Sequence, residues 1–359
     1  MGETDFMAPG VHRRKRVSAL IVPLLLLLSP GGAEAGTNPP LGFSGGGKLV
    51  IATNRARVSG ASTSSTAAFS AKDRAEQISF AVVDTPQVGT VDENPLKAQL
   101  VEARDVPQLF ARRSGMRDVP HAVLLYVHGF DNTTESAVHL ANHVGNKIGF
   151  KGDVVVFAWP SRGSGTPHSY RTDAAMAHKS KQALSDLLQK LNADPFIDRI
   201  HIISHSLGNR VLVRAMALMP RLSKLGDIVL CSPDVERTEF LSTVPSLVPF
   251  ARGATLWVSN RDRALFFAPT FGGGGPRAGL ISRGSEAIVL PNLATIDVSQ
   301  ETMAFDYNHN AYMQVDDLFA DLKDVFDPRA LRPWLNPAKQ RHYQRRATRD
   351  SKIFYEFKR

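Results

Sequence analysis

The sequence holds a single cysteine, Cys231, among 359 residues. One thiol cannot close an internal disulfide, so the fold must be held by its core, and this length permits a large one. Cys231 lies in the apolar run Ile228-Val229-Leu230-Cys231. That setting reads as a buried structural thiol and not as a nucleophile. The apolar run from Val17 to Leu28, broken by Ser18 and Pro23, falls short of the about 20 residues that cross a bilayer. Internal repeats are absent. Metal and nucleotide signatures are missing too. His139 and His143 share a helix face, but no Glu follows His139, so the two-histidine zinc motif is not formed. Gly272 to Gly275 is followed by Pro276 and lacks the Lys-Ser/Thr ending of a phosphate loop, so it reads as a flexible loop. No cofactor and no metal are expected.

What is present begins with a basic cluster, Arg13-Arg14-Lys15-Arg16, then the short apolar core, then Ala33-Glu34-Ala35. This order is that of an export peptide over residues 1–35, cleaved after a small-residue signal. The chain is therefore expected outside the cytoplasm, periplasmic or secreted, with an uncleaved anchor as the alternative. No cysteine directly follows the apolar core, so a lipid-modified N-terminus is not expected. Residues 36–47 are rich in Gly and Pro and read as a linker, residues 48–330 as the folded domain, and 331–359 as a basic C-terminal tail. The formal net charge is +9, and Arg332 to Arg359 holds nine Lys/Arg against two Asp/Glu. Such a tail is a solvated basic segment, or a contact for an anionic envelope surface. Trp334, Phe354, Tyr355 and Phe357 point to partial packing on the body. Export argues against nucleic acid as a partner.

Strands are expected at Lys48–Asn54, Ile78–Val83, Ala122–Val127, Asp153–Ala158, Ile200–Ile203, Ile228–Cys231, Thr255–Ser259 and Ala294–Val298. Continuous Val/Ile/Leu runs among them mark strands buried on both faces of a parallel sheet. Gly60–Ala71 reads as an exposed loop. Asn132-Thr133-Thr134-Glu135 resembles a capping box, followed by a largely apolar helix face through Ile148. Asp173–Leu191 repeats a helical pattern, and Leu318, Phe319, Leu322, Val325 and Phe326 form a last amphipathic helix. Strands alternating with helices predict an α/β fold with a doubly wound, mostly parallel sheet.

One stretch carries most of the functional signal. The apolar Ile200-His201-Ile202-Ile203 runs into Ser204-His205-Ser206-Leu207-Gly208, and an apolar helical pattern follows at once. Strand, sharp turn and helix with a serine at the apex form the nucleophile elbow, usually Gly-x-Ser-x-Gly, with Ser204 in place of the first glycine. A serine hydroxyl needs a base, a carboxylate to orient that base, and donors for the developing oxyanion. In this fold the partners follow in the order Ser, Asp/Glu, His. After Ser206 only His309 and His342 remain, and His342 lies in the tail, so His309 is the candidate base. Asp262, after the second strand beyond the elbow strand, is the preferred acid, with Asp234, after the first, as the alternative. The oxyanion donors are expected to be the N–H groups of Leu207 and Phe130, the latter in Val127-His128-Gly129-Phe130. His128 and His205 read as structural neighbours. The short stretch between Asp234 and Ala254 leaves no room for a large cap, so an open cleft is expected.

With Ala52-Thr53-Asn54-Arg55, Val127-His128-Gly129-Phe130, Phe157-Ala158-Trp159-Pro160-Ser161-Arg162-Gly163, His205-Ser206-Leu207-Gly208-Asn209-Arg210, Ser232-Pro233-Asp234 and Asp262-Arg263-Ala264 in place, the chain resembles a bacterial family of poorly characterised α/β-hydrolases within the esterase/lipase superfamily. The likeness runs from about Leu49 to Phe326. That family usually has Gly-His-Ser where this chain has Asn308-His309-Asn310. The residues and the resemblance together imply a serine hydrolase that cleaves a small-molecule or lipid-like carboxylic ester through an acyl-enzyme. An acyltransferase using the same triad, or a non-catalytic envelope-associated binding module on the same fold, are the alternatives.

Overall fold

The computed structural model describes residues 49–83, 96–111, 121–282, 284–301, 308–310, 313 and 315–358. The proposed export peptide (1–35) and linker (36–47) lie outside the described residues. The strands are β1 (Leu49–Arg57), β2 (Phe69–Val83), β3 (Ala98–Val101), β4 (Ala122–Val127), β5 (Asp153–Phe157), β6 (Arg199–His205), β7 (Leu225–Cys231), β8 (Gly253–Val258), β9 (Leu293–Asp297), β10 (Tyr343–Ala347) and β11 (Ile353–Phe357). The helices are α1 (Val106–Ala111), α2 (Thr134–Lys147), α3 (Pro167–Lys179), α4 (Lys181–Ala193), α5 (Leu207–Met216), α6 (Arg237–Thr243), α7 (Arg263–Gly272) and α8 (Asp316–Phe326).

Among the described residues the strands form one sheet in the order β10-β11-β9-β8-β7-β6-β4-β5-β1-β2-β3. From β11 to β1 every neighbour is parallel, while β10, β2 and β3 add antiparallel edges. The central strands are rich in Val, Ile and Leu and buried along almost their whole length because both faces are covered. In β4 and β6, Leu125, Val127, Ile200 and Ile202 face one core with α3, α4 and α5. Leu124, Tyr126 and Ile203 face the other core with α2 and α8. This is the doubly wound, mostly parallel α/β-hydrolase architecture.

Register brings the strand ends level. Val127 pairs with Ser204, His205 with Cys231, Cys231 with Trp257, and Val258 with Asp297. The loops after β4, β6, β7, β8 and β9 therefore open at one edge of the sheet, where ligands bind in folds of this kind.

Several local expectations change. The capping residue of α2 is Thr133, not Asn132; its Oγ1 accepts the N–H of Ser136 at 3.1 Å. Glu135 instead accepts from the Thr66 hydroxyl at 2.5 Å, tying α2 to the β1–β2 connection. That connection is not wholly exposed: Thr66, Ala68 and Phe69 are buried, and β2 is already under way at Phe69. The helical pattern over Asp173–Leu191 is two helices, not one. They part at Ser180, a wholly buried residue whose Oγ accepts from Asn54 Nδ2 at 3.1 Å.

Residues 331–359 do not form a separate tail. After two short 3-10 turns, Tyr343–Ala347 and Ile353–Phe357 pair as a hairpin, and Tyr355 joins Ile296 of β9. Phe357 is wholly buried. Arg332 is tied to Asp227 and to the Val325 carbonyl, and Lys339 to Asp321 and Asp324. The excess charge hid a pair of strands whose inward residues are aromatic.

Candidate active site

β6 delivers Ser206 at a corner that ordinary residues avoid. Its backbone has φ 52° and ψ −123°, and α5 begins at the next residue. A non-glycine residue with positive φ is strained, and such strain is held only where the surroundings over-determine it. Those surroundings are specific. A Cβ at Gly129 would stand 2.9 Å from Ser206 Cβ, so the loop after β4 passes against the serine only because residue 129 is glycine. A Cβ at Gly208 would stand 2.5 Å from the carbonyl oxygens of Val127 and His128, which fixes the small residue two places after the serine. Ser206 N–H donates to the Cys231 carbonyl at 3.1 Å, and its own carbonyl accepts from Asp234 N–H at 3.1 Å. Asn209 Nδ2 spans the carbonyls of Ser204, Ser206 and Cys231 at 3.0–3.3 Å.

His309 and Asp262 meet. His309 Nδ1 lies 2.7 Å from Asp262 Oδ2, with Asp262 wholly buried and the His309 side chain 12% exposed. The other carboxylate oxygen, Oδ1, accepts Leu265 N–H at 2.8 Å and caps α7. A helix N-terminus favours the charged carboxylate. Asn308 sits at φ 57°, in the left-handed region that the usual glycine would occupy, and asparagine is among the residues that tolerate it. The His309 carbonyl accepts from Ser232 Oγ at 3.3 Å and lies 3.4 Å from His205 Nε2, which anchors the loop over the strand ends next to Ser206.

Asp234 is placed differently. Its carboxylate takes Tyr170 OH at 2.6 Å, Arg210 at 2.9 Å and Arg277 at 2.7 Å, all in the interior. Arg277 also donates to the carbonyls of Gly275 and Gly273, at 2.8 and 2.9 Å. The glycine-rich loop is thus pinned from beneath, where its composition suggested flexibility.

Phe130 is half-buried, with its ring edge-on to Tyr170 at 5.5 Å. Its carbonyl accepts Asn132 Nδ2 at 2.8 Å, while its N–H has no acceptor among the described residues. Leu207 opens α5, so its N–H is one of the four amides a helix leaves without an internal partner. His128 is buried, stacked on Trp159 at 5.0 Å, with Nδ1 2.9 Å from the Gly129 carbonyl. Burial pulls it down to about 3, so it stays neutral. Burial, with His309 beside it at 4.7 Å, likewise holds His205 well below the usual range.

Sequence reasoning missed the support under the Phe130 loop. Arg55, wholly buried at the end of β1, donates to the carbonyls of Asn132 (2.8 Å), Ser161 (3.1 Å) and Ala71 (3.0 Å). Burial pulls its guanidinium down to about 10. Ser161 Oγ donates to Asp173 at 2.5 Å and accepts Asn132 N–H at 3.1 Å. Burial pushes the Asp173 carboxyl up to about 6. The available signal was Arg55 in Ala52-Thr53-Asn54-Arg55, following directly on the apolar first half of β1.

The stretch after Asp234 folds as α6 and two 3-10 turns, with Phe240 buried in the core, and no cap domain is present among the described residues. Ser206 is nevertheless 5% exposed, so the expected open cleft is at this point a recess. No group of three or more His, Cys, Asp or Glu among the described residues is arranged to hold a metal ion. Cys231 is buried, which pushes its thiol well up and leaves it inert.

Among solved structures, two similar ones are "Crystal Structure of TT1662 from Thermus thermophilus" and "Est1E from Butyrivibrio proteoclasticus". The first is 13% identical over 59% of this chain and 92% of its own, with TM-score 0.37. The second is 13% identical over 56% and 87%, with TM-score 0.31. No curated protein matches the chain. A family model does match, over residues 110–323, which is more than half the chain and takes in the elbow, both aspartates and His309. The chain therefore belongs to the family described as alpha/beta hydrolase of unknown function (DUF900).

Proposed function

We propose that this hydrolase is a serine esterase in which Ser206 is the nucleophile, His309 the general base and acid, and Asp262 the carboxylate that orients it. The observation that carries this reading is the 2.7 Å contact between His309 Nδ1 and Asp262, on a loop anchored beside a serine held at positive φ. With Nδ1–H engaged by the carboxylate, the other ring nitrogen, Nε2, is the basic one.

His309 Nε2 takes the Ser206 hydroxyl proton as Oγ attacks the ester carbonyl. The charge that develops on the carbonyl oxygen is met by the N–H groups of Phe130 and Leu207, each worth about 2.7–4 kcal/mol in comparable sites. His309 then gives its proton to the departing alkoxide, which leaves as the alcohol, and an acyl-Ser206 remains. Water, deprotonated by His309, attacks the acyl carbon, and the carboxylic acid is released with Ser206 restored. Asp262 keeps its charge throughout and stabilises the imidazolium. Phe266 and Phe267, 61% and 42% exposed on the helix that Asp262 caps, put apolar surface near the site and fit an ester with an apolar acyl group.

The test is labelling with a fluorophosphonate and turnover of esters of graded chain length, beside Ser206→Ala and His309→Ala. The parent is expected to label at Ser206, and Ser206→Ala to lose about 10⁴–10⁶ in kcat. Labelling that persists in a folded Ser206→Ala protein, or a folded parent that neither labels nor turns over esters, overturns the reading.

A further inference from the structure

The second feature of this molecule with the chemistry of a binding site lies at the far edge of the sheet. Four strands separate β10 from β6, about 24 Å at the usual strand spacing. The stretch that forms it, residues 334–358, is also outside the 110–323 matched by the family model. Between the 3-10 turns and the β10–β11 hairpin is a cleft of about 670 Å³. Its aromatic part is Trp334 with Tyr343 and Tyr355, ring centroids 6.4 and 6.3 Å from the indole. Its polar part is Gln340 and Gln344 with the cations Arg341, Arg345 and Lys358, and no carboxylate lines it.

These cations are not used up by the fold. Arg345 is exposed, lies across the ladder from Tyr355, and makes no hydrogen bond or ion pair among the described residues. Arg341 is exposed and touches only the neighbouring His342 ring, at 2.9 Å. Lys358 is 3.7 Å from Glu356, whose carboxylate is already held by Arg346 and Gln300. Leu335 lines the cleft and is 55% exposed, and Leu331, four residues before it in the chain, is 60% exposed.

We propose that this cleft and its leucine rim are a docking site for an anionic phospholipid surface. Three kinds of side chain are required for such a contact, and all three are here. Exposed leucines enter the boundary of the acyl region. The half-buried rings of Trp334 and Tyr355 rest at headgroup depth, while Tyr343 beneath them is buried with its hydroxyl on Asp321. Arg341 and Arg345, which no carboxylate holds among the described residues, meet lipid phosphates. A soluble polyanion would need the cations and could stack on the rings, but it would leave Leu331 and Leu335 in water. The proposal does not rest on the hydrolase reading.

The test is co-sedimentation of the full chain with vesicles of phosphatidylcholine alone and with about one third phosphatidylglycerol. The full chain is compared with Arg341→Gln/Arg345→Gln and with Leu331→Ser/Leu335→Ser, all folded by circular dichroism. Residues 13–28 are common to all three proteins, so any binding they give cancels. Tight binding to the anionic vesicles alone is expected. The double charge variant should weaken it about thirtyfold, near fivefold for each cation at ~1 kcal/mol apiece. The leucine variant should weaken it at least tenfold. Trp159 and Trp257 are 0% and 4% exposed, so a blue shift of tryptophan emission on the vesicles reports Trp334. Binding that both variants leave intact overturns the proposal. So does dextran sulfate binding the parent with the same loss in the charge variant while the leucine variant still sediments with vesicles like the parent.

Discussion

Asp234 and Asp262 stand at the ends of adjacent strands, both buried, both within reach of the elbow by chain tracing, yet their surroundings divide them. Asp234 is shared by two guanidinium groups and a phenol. Its negative charge is fully spent on holding Arg210, Arg277 and Tyr170 beneath Ser206, and its own N–H fixes the Ser206 carbonyl. Asp262 meets one helix amide and one imidazole, and no cation holds it among the described residues. A carboxylate with two arginines cannot gain much from a proton arriving on a nearby histidine; one without them can. The same division separates the histidines. His128 and His205 are packed and kept neutral, while His309 retains an edge toward solvent. One set of groups makes the frame, and the other is the set that the proposed reaction uses.

The sharpest way to break that comparison is to neutralise each aspartate in turn. Asp262→Asn should keep the fold and lower kcat by roughly 10⁴, since an amide favours the wrong imidazole tautomer. Asp234→Asn should do the reverse. It leaves two buried guanidinium groups without their counter-charge, a loss of about 3–5 kcal/mol in stability. The molecules that remain folded should turn over within about tenfold of the parent. Urea unfolding and kcat measured on the same preparations separate the two. Equal loss of kcat in both variants, at equal stability, would erase the distinction.

The sequence made the choice between these aspartates possible but could not explain it. Asp262 was preferred from strand order alone. The partners that commit Asp234, Tyr170 and Arg277, come from helix and loop segments far away in the chain. Strands β4, β5 and β7 are legible because burial on both faces leaves continuous Val/Ile/Leu runs. β2 was half-seen, since its first turns are polar and exposed and carry no periodicity to read. β10 was invisible for a related reason: as an edge strand it reads Tyr-Gln-Arg-Arg-Ala, and edge strands use such charge to discourage pairing with other chains. Asn308 shows the opposite case. A departure from the family pattern is accommodated because asparagine adopts the φ that glycine would supply.

The histidines give a smaller effect with a definite sign. The folded value of His128, about 3, is below its unfolded value near 6.5. The fold binds fewer protons than the unfolded chain across that window, so this stability is fully present above pH 6.5 and lost as pH falls. His128 alone removes roughly 2 kcal/mol between pH 6.5 and 5. His205 acts in the same direction. Asp173 acts against them: its carboxyl, raised to about 6, favours the protonated fold as pH drops and offsets roughly 1 kcal/mol over the same interval. Urea midpoints at pH 6.5 and 5 should therefore show a net loss of at least about 1 kcal/mol. Burial also pulls His201 and His143 down and pushes Asp297 and Asp321 up. The loss is therefore assigned with a His128→Asn variant, whose profile should be flatter by roughly 2 kcal/mol. An equal profile would mean that His128 is not held neutral in the frame.

The smallest effect tests the frame at its closest approach to the chemistry. Ser204 and Ser206 are two residues apart, one on the strand and one at its corner, and only the second is given a chemical role. Ser204 is wholly buried, and its hydroxyl finds no partner among the described residues. A hydroxyl buried without a partner costs about 1–3 kcal/mol, so Ser204→Ala removes a penalty along with the oxygen. Its Cβ already fits where the usual motif has glycine, so no clash is introduced. The expected result is an unchanged or slightly raised melting temperature and a kcat within about twofold of the parent. Ser204→Gly restores the usual motif but frees the unfolded backbone, and should lose about 0.5–1 kcal/mol. If Ser204→Ala instead lowers kcat by more than tenfold at full stability, the Ser204 hydroxyl takes part in the reaction, and the line between frame and site falls on the strand itself.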